Sequence, residues 1–271
     1  MTDTLKIKIS VTNLISNAVR RLLGSPVEEK KMLELRYVQA LEDLQSERRK
    51  GVYHPSSLKL GGKNPGVCLR KLAYSIKDGE HASVPNQDTK LWNVFQVGTD
   101  AHGKYQAVLQ YCYPDKVEVE VVAEIPELKL YGHCDAVITD SIDGKDVRIG
   151  VEFKTTASSS YKKMVNQPMT PHKDQAAAYA AALGLDYIVF VYENKDNQEL
   201  REFVMSYEEL HPRWLKIKER LEAVNELLDR GELPPKRKNR WECSKCSFER
   251  KCKPFQIPRQ PKKLLSLLKR R

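Results

Sequence analysis

Apolar positions recur at helical spacing early in the chain and at alternate positions in its middle. Between residues 27 and 49 the series Met32, Leu35, Val38, Leu41 and Leu44 follows one helix face, with acids early and Arg48, Arg49 and Lys50 late, as the helix dipole favours. The spacing predicts a helix there. Residues 53–66 collect Pro, Ser and Gly and read as a connection to the body of the protein. A second helix is expected over residues 91–111, with Gly98, His102 and Tyr105 on neighbouring turns. Strand-like segments follow at 117–125, 129–139 and 147–155, the last two separated by a turn at Asp143-Gly144, which suggests a meander. The alanine-rich run 173–183 reads as helix, 187–192 as a short apolar strand, 199–205 as an alternating strand and 208–230 as a long amphipathic helix. Helix, three strands, helix, two strands, helix is the order of a mixed α/β fold.

A chain of 271 residues buries enough surface to hold one large domain, or a core with a smaller appendage, without disulfide staples. Its six cysteines therefore need another explanation. No run approaches the roughly 18 apolar residues that span a bilayer. The opening residues lack a signal-peptide pattern, and Leu5-Lys6-Ile7-Lys8-Ile9 alternates like a strand. A soluble, cytoplasmic protein with no membrane partner is expected, and in a reducing compartment cysteines serve as core residues, catalysts or metal ligands. The formal charge of +10 and a pI near 9.2 suggest a polyanionic partner. The excess concentrates in residues 235–240 and 259–271, where a solvated face and a frayed terminus would account for it as well.

The candidate chemistry lies in Gly132-His133-Cys134-Asp135 and in Gly150-Val151-Glu152-Phe153-Lys154. On a strand Glu152 and Lys154 share one face, with Val151 and Phe153 on the other, and Asp135 on an adjacent strand can converge on the pair. Two carboxylates and a lysine at a sheet edge suit metal-assisted hydrolysis of a phosphodiester: the carboxylates supply hard oxygen ligands, and the lysine orients water or neutralises developing charge. Glu-x-Lys alone is common in surface strands that pair across the sheet. The order of motifs, however, resembles the RecB-like nucleases of the PD-(D/E)XK superfamily: His102 on a helix, Gly132 with Asp135, Glu152 with Lys154, then Gln175 with Tyr179. The resemblance implies a mixed central sheet flanked by helices and a Mg²⁺ or Mn²⁺ site formed by His102, Asp135 and Glu152. It implies catalytic roles for Asp135, Glu152, Lys154, Gln175 and Tyr179, the last two being four apart and so on one helix face. His133, two residues before Asp135, is left out of the site.

Cys243, Cys246 and Cys252 form a C-x2-C-x5-C run flanked by Lys and Arg, too polar for a buried segment, and read as metal ligands. A fourth thiolate is needed, and Cys68 is the candidate. The pattern is similar to the iron-sulfur nucleases of the AddB type and of CRISPR spacer acquisition, which implies that Cys68, Cys243, Cys246 and Cys252 hold a [4Fe-4S] cluster. Leu69 stands where that family often has proline. Zn²⁺ is the rival, because spacing does not separate the two metals. Cys112 and Cys134 are expected to be small buried residues.

The expected organisation is an N-terminal helical extension at 1–55, a RecB-like nuclease domain including the cysteine region at 56–256, and a basic tail at 257–271. The resemblance implies a DNA-cleaving enzyme, first of all an exonuclease acting on DNA ends in recombination, repair, CRISPR adaptation or phage genome metabolism. The alternatives are a catalytically inactive DNA-binding module and a zinc-cluster interaction protein.

Overall fold

The computed structural model describes residues 51–61, 66–78, 89–236, 240–244 and 246–252. The helix expected over 27–49, the alternating run 5–9 and the basic tail 257–271 lie outside the described residues.

Among the described residues, five strands form one mixed sheet in chain order: β1 (Val117–Ile125), β2 (Leu130–Ile142), β3 (Lys145–Thr156), β4 (Tyr187–Asn194) and β5 (Leu200–Ser206). The described helices are α1 (Leu69–Asp78), α2 (Thr89–Cys112), α3 (Ser158–Tyr161), α4 (Thr170–Leu183), α5 (Tyr207–Asp229), α6 (Arg240–Ser244) and α7 (Glu249–Cys252). β1, β2 and β3 are the expected antiparallel meander, β3 and β4 run parallel, and β5 returns antiparallel to β4. A parallel step needs a crossover, which α3 and α4 supply. β4 is buried along its whole length, so it reads as an unbroken apolar run rather than as alternation.

One face of the sheet packs on α2, where Ala101, Tyr105 and Leu109 meet Val151, Phe153, Val189 and Val191. The other face packs on α4, backed by α5. Ala176, Ala177, Ala178 and Ala180 let α4 lie close to the strands, and Gly184, in the left-handed region at φ 61°, ends the helix. α5 begins with a capping box, Ser206 and Glu209 each bonding the other's main chain.

The first part of the expected connection at 53–66 is pinned to the body. Tyr53 bridges to Leu130, its hydroxyl donates to Asn225 Oδ1 of α5 at 3.0 Å, and Tyr53 and Leu58 are buried. The turn Pro55–Ser57 lies directly over Gly132, where any Cβ would come within 2.7 Å of Pro55 Cδ. Behind it, the fully buried Asp174 of α4 accepts from the Leu60 N–H at 2.9 Å and pairs with Arg213 of α5.

At one row the sheet departs from regularity. The β2–β3 ladder runs from Ile142 opposite Lys145 to Ala136 opposite Val151 and stops; beyond it β2 continues against β1, and β3 against β4. The alternation of β2 breaks at the same place: Cys134 packs on the α4 side and Ala136 on the α2 side. β1 changes sides in parallel, with Val119 on the α2 side and Val121 on the α4 side. A one-residue change of phase exchanges the faces of every side chain beyond it. The sheet thus forks between β2 and β3, with Asp135 and Glu152 at the branch point.

The Asp174–Arg213 pair makes a stability prediction. Arg213→Ala leaves a fully buried carboxylate with the Leu60 N–H as its remaining donor, which should cost about 3–5 kcal/mol, or roughly 6–20 °C in melting temperature for a domain of this size. A loss below about 2 °C in thermal unfolding would mean that the pair does not brace the two helices.

Candidate active site

The fork gathers side chains from both layers. Asp135 Oδ2 accepts the Phe153 N–H at 2.7 Å, taking the place of a main-chain rung. Its other oxygen lies 3.5 Å from His102 Nδ1, which reaches in from α2. From the α4 side, Lys154 Nζ lies 2.6 Å from Glu152 Oε2 and 3.9 Å from Asp135 Oδ2. Glu152 is almost wholly buried, Asp135 is buried and Lys154 is partly exposed. His102, Asp135, Glu152 and Lys154 are therefore brought together as the motif order implied, and by a fork that strand alternation does not foretell.

Their electrostatics follow from burial. Glu152's carboxyl is pushed up to about 8 by burial first and by Asp135 second, against the pull of Lys154. Burial alone would lower Lys154, but Glu152 and Asp135 more than offset it, so the ammonium holds its proton well above the usual lysine range. Burial lowers His102, opposed by Asp135, which favours the neutral imidazole that a metal ligand must be.

α4 carries the other expected residues. Gln175 Nε2 donates to the Tyr179 hydroxyl at 3.2 Å, and both side chains are buried. The Tyr179 phenol is held well above its ordinary range by burial and by Glu152 and Asp135, so it lies in the field of both carboxylates. Three residues of the neighbourhood went unread in the sequence. Gln106, fully buried, donates to the Asp135 carbonyl at 2.8 Å; a lone amide one turn after His102 on the apolar stripe of α2 was the available signal. Tyr192, opposite Lys154 in the register, lies 2.7 Å through its hydroxyl from His172 Nδ1 and accepts from the Met169 N–H at 3.1 Å. These two looked like apolar-strand and helix-start residues. His133 packs edge-on against Tyr131, with ring centroids 5.3 Å apart.

The cysteine segment docks on α1. Phe248 packs against Tyr74 with ring centroids 5.4 Å apart, and Lys251 Nζ donates to both Asp78 oxygens at 2.6 and 2.7 Å. α1 starts directly after Cys68, so this docking carries the late cysteines towards the early one. Burial raises the Cys246 thiol, the Phe248 main chain and Lys71 oppose that, and Cys68 and Cys243 add to it, so these three sulfurs share one electrostatic neighbourhood. All three are partly exposed free thiols, as is Cys252 in the last turn of α7. Cys134 is fully buried as expected, whereas Cys112 is only half-buried because it ends α2.

Among the described residues no group of three or more His, Cys, Asp and Glu side chains stands arranged to hold a metal ion. At the fork the Lys154 ammonium already bridges the carboxylates. The donors there nonetheless suit a hard divalent cation: two carboxylates, a neutral imidazole, and a buried Glu152 Oε1 with no hydrogen-bond partner among the described residues. A groove of about 590 Å³ lined by Leu60, Leu69, Arg213, Lys216 and Arg220 includes none of these side chains.

No protein-family profile and no curated protein sequence matches the chain. Among solved structures, SSO0001 is 20% identical over 79% of this chain and 92% of its own, with a TM-score of 0.47. LHK-Exo in complex with dAMP is 14% identical over 73% of this chain and 97% of its own, with a TM-score of 0.46. The alkaline exonuclease LHK-Exo from Laribacter hongkongensis is also similar, at 15% identity over 68% of this chain and 94% of that one, with a TM-score of 0.43.

Beside the fork, His172 is held neutral, at about 3, by burial first and by Lys154 and Lys59 after it. Its folded value lies below the ordinary histidine value of 6.5, so the unfolded chain binds the extra proton and stability falls as pH drops from about 6.5 towards 4. His172→Gln should flatten that loss by about 1–3 kcal/mol in urea unfolding at a series of pH values. An equally steep acid limb in the variant would show that this ring does not control it.

Proposed function

We propose that the chain is a metal-dependent deoxyribonuclease that hydrolyses phosphodiester bonds, most simply as an exonuclease acting at DNA ends. One observation carries the reading: Asp135, Glu152, Lys154 and His102 converge at the fork of the sheet. A buried cluster of like charge with a single bridging ammonium is poor design for stability and suits a site that receives a cation and a phosphate. The formal charge of +10 supports a nucleic-acid substrate.

Asp135, Glu152 and His102 would hold a Mg²⁺ or Mn²⁺ ion, which when bound supplies Lewis-acid charge at the phosphate and acidifies water. The rest of the chemistry belongs to the chain. Lys154 keeps its proton against neutral solution, so it acts as a fixed positive charge facing the phosphate and not as a general base. Tyr179 likewise stays a neutral phenol; with its oxygen accepting from Gln175, its own proton is available to a water or a phosphate oxygen. The Phe153 N–H fixes Asp135 from behind and leaves Oδ1 turned towards His102.

Cys68, Cys243, Cys246 and Cys252 would hold a [4Fe-4S] cluster, supported by the shared neighbourhood of three of these thiols. Such a cluster would be structural: it would tie the segment before the sheet to the segment after it, worth about 5 kcal/mol in a simple cross-link treatment. The proposed organisation keeps a helical extension at 1–55 and a basic tail at 257–271 around this domain.

The test is digestion of end-labelled single- and double-stranded DNA beside circular DNA in Mn²⁺. The linear substrates should shorten while the circle persists. Glu152→Ala and Lys154→Ala should each slow cleavage by about 100-fold or more with DNA affinity retained, because affinity rests on dispersed cations. Wild-type cleavage by either variant would refute the assignment.

The two centres should also come apart. Prepared without oxygen, wild type should carry about four iron atoms per chain. Cys68→Ala should lose them and melt earlier, whereas Asp135→Asn, which still offers an oxygen to the Phe153 N–H, should keep iron and fold but not cleave. Full iron in Cys68→Ala, or stoichiometric zinc in protein made with ample iron, would dismiss the cluster.

A further inference from the structure

We propose that Glu120 of β1 is a third carboxylate of the cation site, acting with Asp135 and Glu152 to capture the divalent ion. The inference rests on the nuclease reading, because it takes a cation to bind at the fork.

The register makes the case first. Val119 lies opposite Ala136 and Val121 opposite Cys134, which sets Glu120 across from Asp135; Ala136 lies opposite Val151, which brings Asp135 level with Glu152. Three adjacent strands thus present three acids in one row. Like charges directly opposite each other oppose strand pairing, and this row drops out of both ladders. Glu120 also holds φ at 49°, a left-handed backbone that Gly or Asn adopts far more readily than Glu. That conformation accompanies the exchange of faces in β1.

Two buried oxygens then point to what the row lacks. Gln106, with no exposed surface, donates through Nε2 to Glu120 Oε1 at 2.6 Å and to the Asp135 carbonyl at 2.8 Å. Two acceptors around that atom require it to be the nitrogen, so Oε1 is the other end of the amide. Gln106 Oε1 and Glu152 Oε1 are both buried with no hydrogen-bond partner among the described residues. The row therefore carries two buried acceptor oxygens beside its carboxylates, and the ligand such a set takes is a hard cation. Lys154 reaches Glu152 and Asp135, the two acids that Glu120 faces along the row.

Titration of the full chain with Mn²⁺, reading free ion by electron paramagnetic resonance without DNA, tests this. Glu120→Gln keeps an acceptor for Gln106 Nε2 while removing the charge. Its dissociation constant for Mn²⁺ should rise about 10-fold or more, with metal-free melting unchanged. Glu120→Asp, which keeps the charge, should stay nearer wild type, and Glu124→Gln, an exposed acid of the same strand, should bind as wild type does. Unchanged affinity in Glu120→Gln overturns the proposal, as does an equal loss in Glu124→Gln, which would reveal only a long-range field. A wild-type chain that binds no Mn²⁺ overturns the nuclease reading and this inference with it.

Discussion

One hydrogen bond organises the centre of this protein: the Phe153 N–H given to the carboxylate of Asp135 at 2.7 Å. In an unbroken antiparallel pair that donor would find a main-chain carbonyl. Here a side chain takes it, so β2 is released from β3 while the buried amide stays satisfied. The strands can part without leaving an orphaned donor, and the opening is fixed in position because the residue that replaces the rung is also the residue that faces the site. His102 enters through it from the α2 layer and Lys154 from the α4 layer. A regular sheet would keep those layers apart.

The surroundings are built to hold that opening rigid. Phe153 stacks with Tyr105 at 5.4 Å, and Tyr105 and Lys104 both donate to Glu193 at the end of β4, so α2 is clamped to β4 beside the branch. On the opposite side the turn at Pro55 lies on Gly132, and Asp174 ties α4 to α5 and to Leu60. Charges that repel one another are thus confined by packing on both sides, as pre-organised polar sites generally are.

Most of the architecture was legible because periodicity reports burial. β1 took its expected bounds, and the α4 and α5 segments and both later strands fell within a few residues of expectation. α1 was missed, since ten residues of Leu69-Arg70-Lys71-Leu72 type between loops carry too short a pattern beside a cysteine that draws attention. The fork was illegible for a different reason. Alternation assumes a constant phase, and nothing in Val119-Glu120-Val121 or Cys134-Asp135-Ala136 announces that the phase changes there. The ligand candidates could be named from motif order, but their approach from opposite faces is a property of the folded sheet. Asp174 was passed over beside Gln175 because a buried ion pair between helices leaves no local signature.

The contact between α1 and the cysteine segment has a consequence for how the chain reaches this state. Asp78 and Lys251 are separated by 173 positions, whereas the meander of β1, β2 and β3 closes through short turns. Loop-closure entropy favours the local pairings first. During synthesis from the N-terminus, the strands that carry Asp135 and Glu152 emerge complete while Cys243, Cys246 and Cys252 are still to be made. Cys68 is therefore made long before its three distant counterparts, and the contact of their segment with α1 can close only once nearly all of the described chain exists.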